Sequence, residues 1–309
     1  MGPQAPDAPG GMKSALWEFA RDQRYALPRR LEQIAQGPGP KTAARICLRL
    51  NARGLGVTVG HFPGSGDSPD SITTANILMA VALQGRAGDA YLSVKAPQLS
   101  FDAERLHEIA QAAAASRLSL MFDAHSPELA DKTLALFAEL LDTYPGTGCV
   151  LPARWRRSQA DAGRFRDSTA RIRVVKGEWA DEHEEMPDIA ASYLALVERL
   201  AGRAGAVAIA THDPQLAERS LKMLLAAGTP CELEQLRGLP RQRTMAIARQ
   251  LGVPVRLYVP FGRGWLPYAL DKALARPYLL GWMIRDWLGL HDTAASPARA
   301  PRPLLTGQP

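Results

Sequence analysis

Cysteine is scarce in this chain, and the three present, Cys47, Cys149 and Cys231, are far apart and flanked by apolar residues. An odd, unclustered set argues against a disulfide framework or a zinc site and agrees with a reducing, cytoplasmic setting. The six histidines show no zinc-site spacing either. No apolar run reaches the roughly 18 to 20 residues that a membrane-spanning helix needs. The first eleven residues lack the basic start and apolar core of a secretory signal, and segments 1–12 and 293–309 read as disordered tails. Phosphate loops of the Walker type, GxGxxG turns and GxSxG elbows are missing as well. Basic residues outnumber acidic ones by 37 to 31, yet the one short basic cluster is Arg154, Arg156 and Arg157, without aromatic neighbours in a basic stretch. Nucleic-acid binding is therefore unsupported, and the cluster reads as a solvated helix start or as an anion or membrane-surface contact.

What is present is a repeated unit. A short β-branched or Leu-rich run is followed by a polar turn and then by apolar residues at helical spacing. Candidate strands fall at 56–59, 91–95, 118–122, 149–151, 172–175, 206–210, 231–235 and 255–259. Between them, Ser126-Pro127-Glu128 and Asp213-Pro214 place a side-chain oxygen at a helix cap and proline at the first helical position. After Pro187, residues Ile189, Tyr193, Leu196, Val197 and Leu200 define one apolar helix face. Nearly continuous apolar strands are the mark of a parallel sheet covered by helices. Eight alternations predict an α/β fold, a (β/α)8 TIM-type barrel forming a single domain over 13–292, with an N-terminal helical extension at 15–36. An open doubly wound sheet is the alternative.

In such a barrel the chemistry sits where the strands end, and here the strand ends are polar. Lys95 ends the second strand, and Asp123 with His125 follows the third. The fifth runs through Arg171, Arg173, Val175, Lys176, Gly177 and Glu178, and the sixth ends at Thr211, His212 and Asp213. Glu232, Glu234 and Gln235 lie on the seventh, and Tyr258 on the eighth. Each has a plain structural alternative: a surface lysine at 95, a turn or cap at Asp123, a histidine satisfied by its neighbours at 212. Arg173 inside a strand demands an anion or carboxylate partner. The loop around Gly64 and Gly66 reads as a connector.

The succession Tyr-Leu-Ser-Val-Lys at 91–95, Phe122-Asp123-Ala124, Arg173-Val174-Val175-Lys176-Gly177, Ala210-Thr211-His212, Glu-Leu-Glu-Gln-Leu-Arg-Gly at 232–238 and Val-Arg-Leu-Tyr-Val-Pro-Phe-Gly at 255–262, followed by Trp265 to Pro267 and Ala275-Arg276-Pro277, resembles the FAD-dependent proline dehydrogenase family. The resemblance spans residues 45–290. It implies a distorted barrel with FAD across the strand ends, accepting a hydride at flavin N5 from the carbon beside an amine nitrogen. By resemblance Arg173, Val175, Lys176, Gly177, Thr211, His212 and Glu234 are the cofactor set, and Lys95, Asp123, Tyr258, Tyr268, Asp271 and Lys272 the substrate-side set. It further implies a quinone or other electron acceptor, with any membrane contact peripheral.

Departures from the family pattern bear on the substrate. Where the family carries two adjacent arginines that clamp the proline carboxylate, this chain has Asp271 and Lys272, with Ala275 in place of a glutamate. Lysine does not reproduce an arginine fork, and an aspartate repels the anion. Losing two charge-assisted bonds of about 1.5 to 3 kcal/mol each weakens proline binding by roughly thousands-fold. Pro152 replaces a flavin-contacting Gln, Glu178 an Ala, Trp179 a Tyr, Glu234 a Gln and Arg237 a Tyr. Three readings stand: oxidation of a small-molecule amine other than proline, with Asp271 or Glu234 recognising it; ordinary proline oxidation with Lys272, Arg237 or Arg263 contacting the carboxylate; and a barrel that no longer uses a flavin.

Overall fold

The computed structural model describes residues 37–86, 88–181, 186–266 and 268–269. Its strands are β1 (Gly56–His61), β2 (Ala90–Val94), β3 (Ser119–Phe122), β4 (Thr147–Pro152), β5 (Arg171–Val175), β6 (Val207–Ala210), β7 (Cys231–Leu236) and β8 (Val255–Phe261). Around them lie α1 (Pro40–Asn51), α2 (Pro69–Leu83), α3 (Ala103–Ala115), α4 (Ala130–Thr143), α5 (Ser158–Arg164), α6 (Ile189–Leu200), α7 (Pro214–Ala226) and α8 (Gln242–Gln250). Every strand pairs in parallel with the next, and β1 closes on β8. The sheet is thus a closed barrel, not an open doubly wound one. The 15–36 extension and both tails lie outside the described residues.

Strand alternation sorts the side chains. Val57, Val59, Leu92, Val94, Leu120, Phe122, Ile172, Val174, Leu257 and Val259 are buried on the outer wall under the helices. In α6 the expected face is realised: Tyr193, Leu196, Val197 and Leu200 are buried, Asp188 caps the helix at Ala191 N (2.9 Å), and Tyr193 Oη donates to Val174 O on β5 at 2.8 Å. Asp213 caps α7 through Gln215 N and Leu216 N at 3.1 and 3.2 Å. Ser126 does not behave as expected. Its side chain caps nothing, the chain tightens into a 3₁₀ turn over Pro127–Leu129, and α4 begins only at Ala130. The proline does not itself forbid a cap, since Asp213 caps α7 ahead of Pro214; here the tight turn, closed by Leu129 N on Ser126 O at 3.2 Å, stands where a capped first turn was expected.

The barrel interior departs from the branched aliphatic filling usual in this architecture. At the strand N-termini a chain of charges crosses it. Arg256, 0% exposed, donates to Glu232 Oε1 at 2.7 Å, to both Asp89 carboxylate oxygens at 2.6 Å and to Val57 O at 2.7 Å. Glu232 also pairs with Arg171, whose Nε donates to Tyr91 Oη at 2.8 Å. Both guanidinium carbons lie 4.6 Å from the Tyr91 ring centre. Burial works against the Arg256 charge, but Glu232 and Asp89 outweigh it and hold the guanidinium cationic. Neither Arg256 nor Asp89 stands out in the sequence.

Removing one member of a buried ion pair strands the other, at about 3–5 kcal/mol. Arg256→Met is expected to lower unfolding stability by that amount in urea titrations, and a loss below about 1 kcal/mol would show that the lower chain contributes little.

Candidate active site

At the opposite end of the barrel the strand C-termini surround a cleft of about 460 Å³, within the range of small-molecule sites. Its floor is a second chain of charges. Arg173, carried by β5 and 5% exposed, donates through Nη1 to Glu234 Oε1 of β7 at 2.7 Å and through Nη2 to Asp123. Asp123 follows β3, where its N–H bonds to Val94 O (2.9 Å), and its other carboxylate oxygen accepts from Tyr258 Oη of β8 at 3.0 Å. Lys95, one residue beyond β2, places Nζ 3.4 Å from that same oxygen, donates to His61 O at 3.0 Å and lies 4.4 Å over the Phe62 ring. The order is Lys95, Asp123, Arg173, Glu234, alternating in sign.

The electrostatics follow from this pairing. Burial alone would raise the Asp123 carboxyl, but Arg173 and Lys95 hold it below its ordinary value. Burial alone would lower Arg173, and Glu234 with Asp123 keeps it firmly cationic. Lys95 ends below the usual lysine range because burial outweighs Asp123. His61, behind Lys95, is pushed down to about 4 by burial and by that ammonium, so it is neutral at pH 7.

The rim is aromatic. Gly177 turns the chain out of β5 at φ +98°, and a Cβ there would meet Pro152 Cβ and the Arg154 stem at 3.0 Å. Pro152, where a glutamine was expected, thus packs against that turn. The next residues, Glu178 and Trp179, reach the mouth: Trp179 stacks on His125 with centroids 4.6 Å apart, and Tyr268 Oη donates to Glu178 Oε2 at 2.9 Å. Tyr258 occupies space at β1 that only Gly60, lacking a Cβ, leaves open.

Lys95, Asp123, Arg173, Val175, His212, Glu234, Tyr258 and Tyr268 all line the cleft. Thr211 is buried beside it, its carbonyl accepting from Gln235 Nε2 at 2.9 Å. His212 accepts from Leu236 N at Nε2 (3.2 Å), which leaves Nδ1 to donate to Pro240 O (3.0 Å), so this neutral ring is committed to backbone on both sides. Lys176 is half exposed and pairs with Asp213 Oδ2 at 3.5 Å. Asp271 and Lys272 lie outside the described residues. His125 and Gln235, read as polar strand-end residues but placed in neither the cofactor nor the substrate set, also line the cleft, as do Trp265 and Phe62. A polar residue in an apolar strand was the only available signal for Gln235.

Four buried polar atoms lining this cleft have no hydrogen-bond partner among the described residues: Arg173 Nε, Glu234 Oε2, Gln235 Oε1 and His125 Nδ1. Such groups are uncommon in folded proteins, and a bound molecule or water is one way in which they are met. The set combines a cationic donor with acceptors, and a flavin pyrimidine edge, which alternates acceptors with an N–H donor, is chemically complementary to it. The residues fit a flavin. No group of His, Cys, Asp and Glu suited to a metal ion occurs among the described residues.

A family model described as proline dehydrogenase matches residues 70–268. Among curated proteins, Proline dehydrogenase 2 of Bacillus subtilis (strain 168) is 24% identical over 245 residues, covering 74% of this chain and 80% of that protein. Proline dehydrogenase 1 of Bacillus subtilis subsp. natto is 22% identical over 291 residues, covering 88% and 95%. Among solved structures, proline utilization A (PutA) from Corynebacterium freiburgense superposes with a TM-score of 0.66 at 17% identity over 92% of this chain and 36% of its own. PutA from Bdellovibrio bacteriovorus inactivated by N-propargylglycine gives 0.65 at 16% identity over 82% and 33%. The chain spans about a third of the length of these PutA proteins, whose likeness concerns the barrel fold.

Asp123, held below the ordinary value of 3.8, stabilises the fold while charged, so its contribution is present above about pH 4 and fades as pH falls through its folded value. Asp123→Asn should unfold more easily at pH 7, by about 3–5 kcal/mol, and show a flatter loss of stability below pH 4 in urea titrations. An acid limb identical to that of the parent protein would contradict this.

Proposed function

The chain belongs to the proline dehydrogenase family, and we propose that it oxidises the C–N bond of a small amine other than free proline, with FAD as its cofactor. The observation that carries the flavin reading is the floor of the cleft, where Arg173 Nε, Gln235 Oε1 and Glu234 Oε2 stand buried without partners among the described residues, beside an alternating charge chain. When bound there, FAD supplies a two-electron acceptor for the hydride on the carbon beside the amine nitrogen. Arg173 and Gln235 would hold its polar edge, and the fixed cation favours negative charge gained on reduction. Those unpartnered groups, and family membership, speak against a barrel that has abandoned the flavin.

Asp123, itself held by Tyr258, and the carbonyl of His61 fix the position of Lys95 at the substrate side. Lys95, destabilised as a cation by burial, is suited to exchange a proton at Nζ with an incoming amine. The substrate preference rests on residue identity: Asp271 and Lys272 stand where two arginines clamp a carboxylate in the family. Arg263, a candidate substitute, directs Nη2 to Asp67 Oδ1 at 2.5 Å, so it is already paired at the rim. A second reading, proline itself, is favoured by the curated relatives, which are proline dehydrogenases, and by the cationic Lys95. Electrons would then pass to a quinone or another acceptor. Among the described residues no helix is long and apolar enough to cross a membrane.

The purified chain incubated with FAD is expected to show flavin absorption bands that bleach under anaerobic conditions with pyrrolidine or prolinamide at least tenfold faster than with proline. Faster bleaching by proline would establish the second reading. A protein that takes up no flavin would overturn both.

A further inference from the structure

Two glutamates on β7 are buried and ion-paired, two residues apart, and they are matched differently. Glu232 lies between the guanidinium groups of Arg171 and Arg256. Glu234, 2% exposed, meets one cation among the described residues, Arg173 Nη1 at 2.7 Å, and Asp123 claims that same guanidinium. The other Glu234 oxygen, Oε2, is buried without a partner among the described residues, as is Arg173 Nε.

These two unmet groups act in opposite directions on a molecule bound in the cleft. The Arg173 donor attracts negative charge, and the Glu234 carboxylate repels it. Burial removes the water that would screen that repulsion at a surface. Glutamine, which the family pattern carries at this position, would accept the Arg173 hydrogen bond through its amide oxygen without bringing the charge. Nor is Glu234 the sole counter-ion of Arg173, because Asp123 already supplies a carboxylate to it.

Resting on the reading that FAD occupies this cleft, we infer that Glu234 lowers the reduction potential of the bound flavin. Hydride uptake brings two electrons and one proton and leaves the ring one unit more negative; Arg173 favours that gain, and the Glu234 carboxylate opposes it. A reduced cofactor held here gives up its electrons more readily than one held beside glutamine. A weaker electron acceptor then suffices, and the substrate amine must be one that is more easily oxidised.

The test is the midpoint potential of the FAD-loaded chain, read from its absorption bands during stepwise anaerobic reduction with dithionite in the presence of a reference dye. Glu234→Gln should favour the reduced form at least tenfold relative to the parent, a rise of about 30 mV for a two-electron couple. Glu234→Asp, which keeps the charge, should stay within about threefold of the parent, or about 15 mV. Glu234→Met, neutral and of similar length, should rise as the glutamine variant does and replaces it if thermal melting shows that the amide is not tolerated. A potential unchanged in the neutral variants, or an equal rise in Glu234→Asp, would overturn the inference and leave the flavin reading standing. A parent chain that takes up no FAD would refute the flavin reading and the inference with it.

Discussion

A guanidinium sealed inside a barrel must be neutralised where it stands, and Arg173 is neutralised from two sides, by Asp123 and by Glu234. Much of the site follows from this constraint. The two carboxylates come from β7 and from the residue just after β3, on opposite sides of β5, so the ion pairs tie together strands that share no hydrogen bonds with it. Asp123 in turn fixes Lys95 and Tyr258. Two of the three guanidinium nitrogens are used in this way, and Nε is left as a buried donor without a partner among the described residues.

The lower chain, Asp89, Arg256, Glu232 and Arg171, obeys the same rule with a different result. There Arg256 is engaged at Nε and at both terminal nitrogens, the carbonyl of Val57 taking the bond no carboxylate supplies. Arg256 is thus engaged at every nitrogen at the strand N-terminal end, whereas Arg173 at the C-terminal end keeps its Nε unmet among the described residues. Glu232 and Glu234, two residues apart on one strand and both facing inward, fall on either side of that division.

Periodicity in the sequence made the barrel legible, because eight apolar runs separated by helical patterns admit few arrangements. Lys95, Asp123, Arg173 and Tyr258 were legible as polar residues at strand ends, where burial requires partners. The lower chain was not, since Arg256 meets Asp89 across 167 residues of sequence and only barrel closure brings them together. Ser126 misled because a proline following a hydroxyl suits a 3₁₀ turn as well as a capped helix. His212 resembled a free polar strand end, whereas its ring nitrogens are taken up by the last residue of β7 and by the turn that follows. Gln235 carries no sequence mark that separates it from the acidic residues beside it.

The central claim is that the unpartnered Arg173 Nε–H is there for a flavin. Calorimetric titration of FAD into the parent chain and into Arg173→Lys addresses it directly, since lysine keeps a cation between Asp123 and Glu234 but removes the third donor. The account predicts that the variant binds FAD at least about tenfold more weakly while melting within a few degrees of the parent. Equal affinities in two well-folded proteins would contradict it and assign Arg173 to the architecture alone.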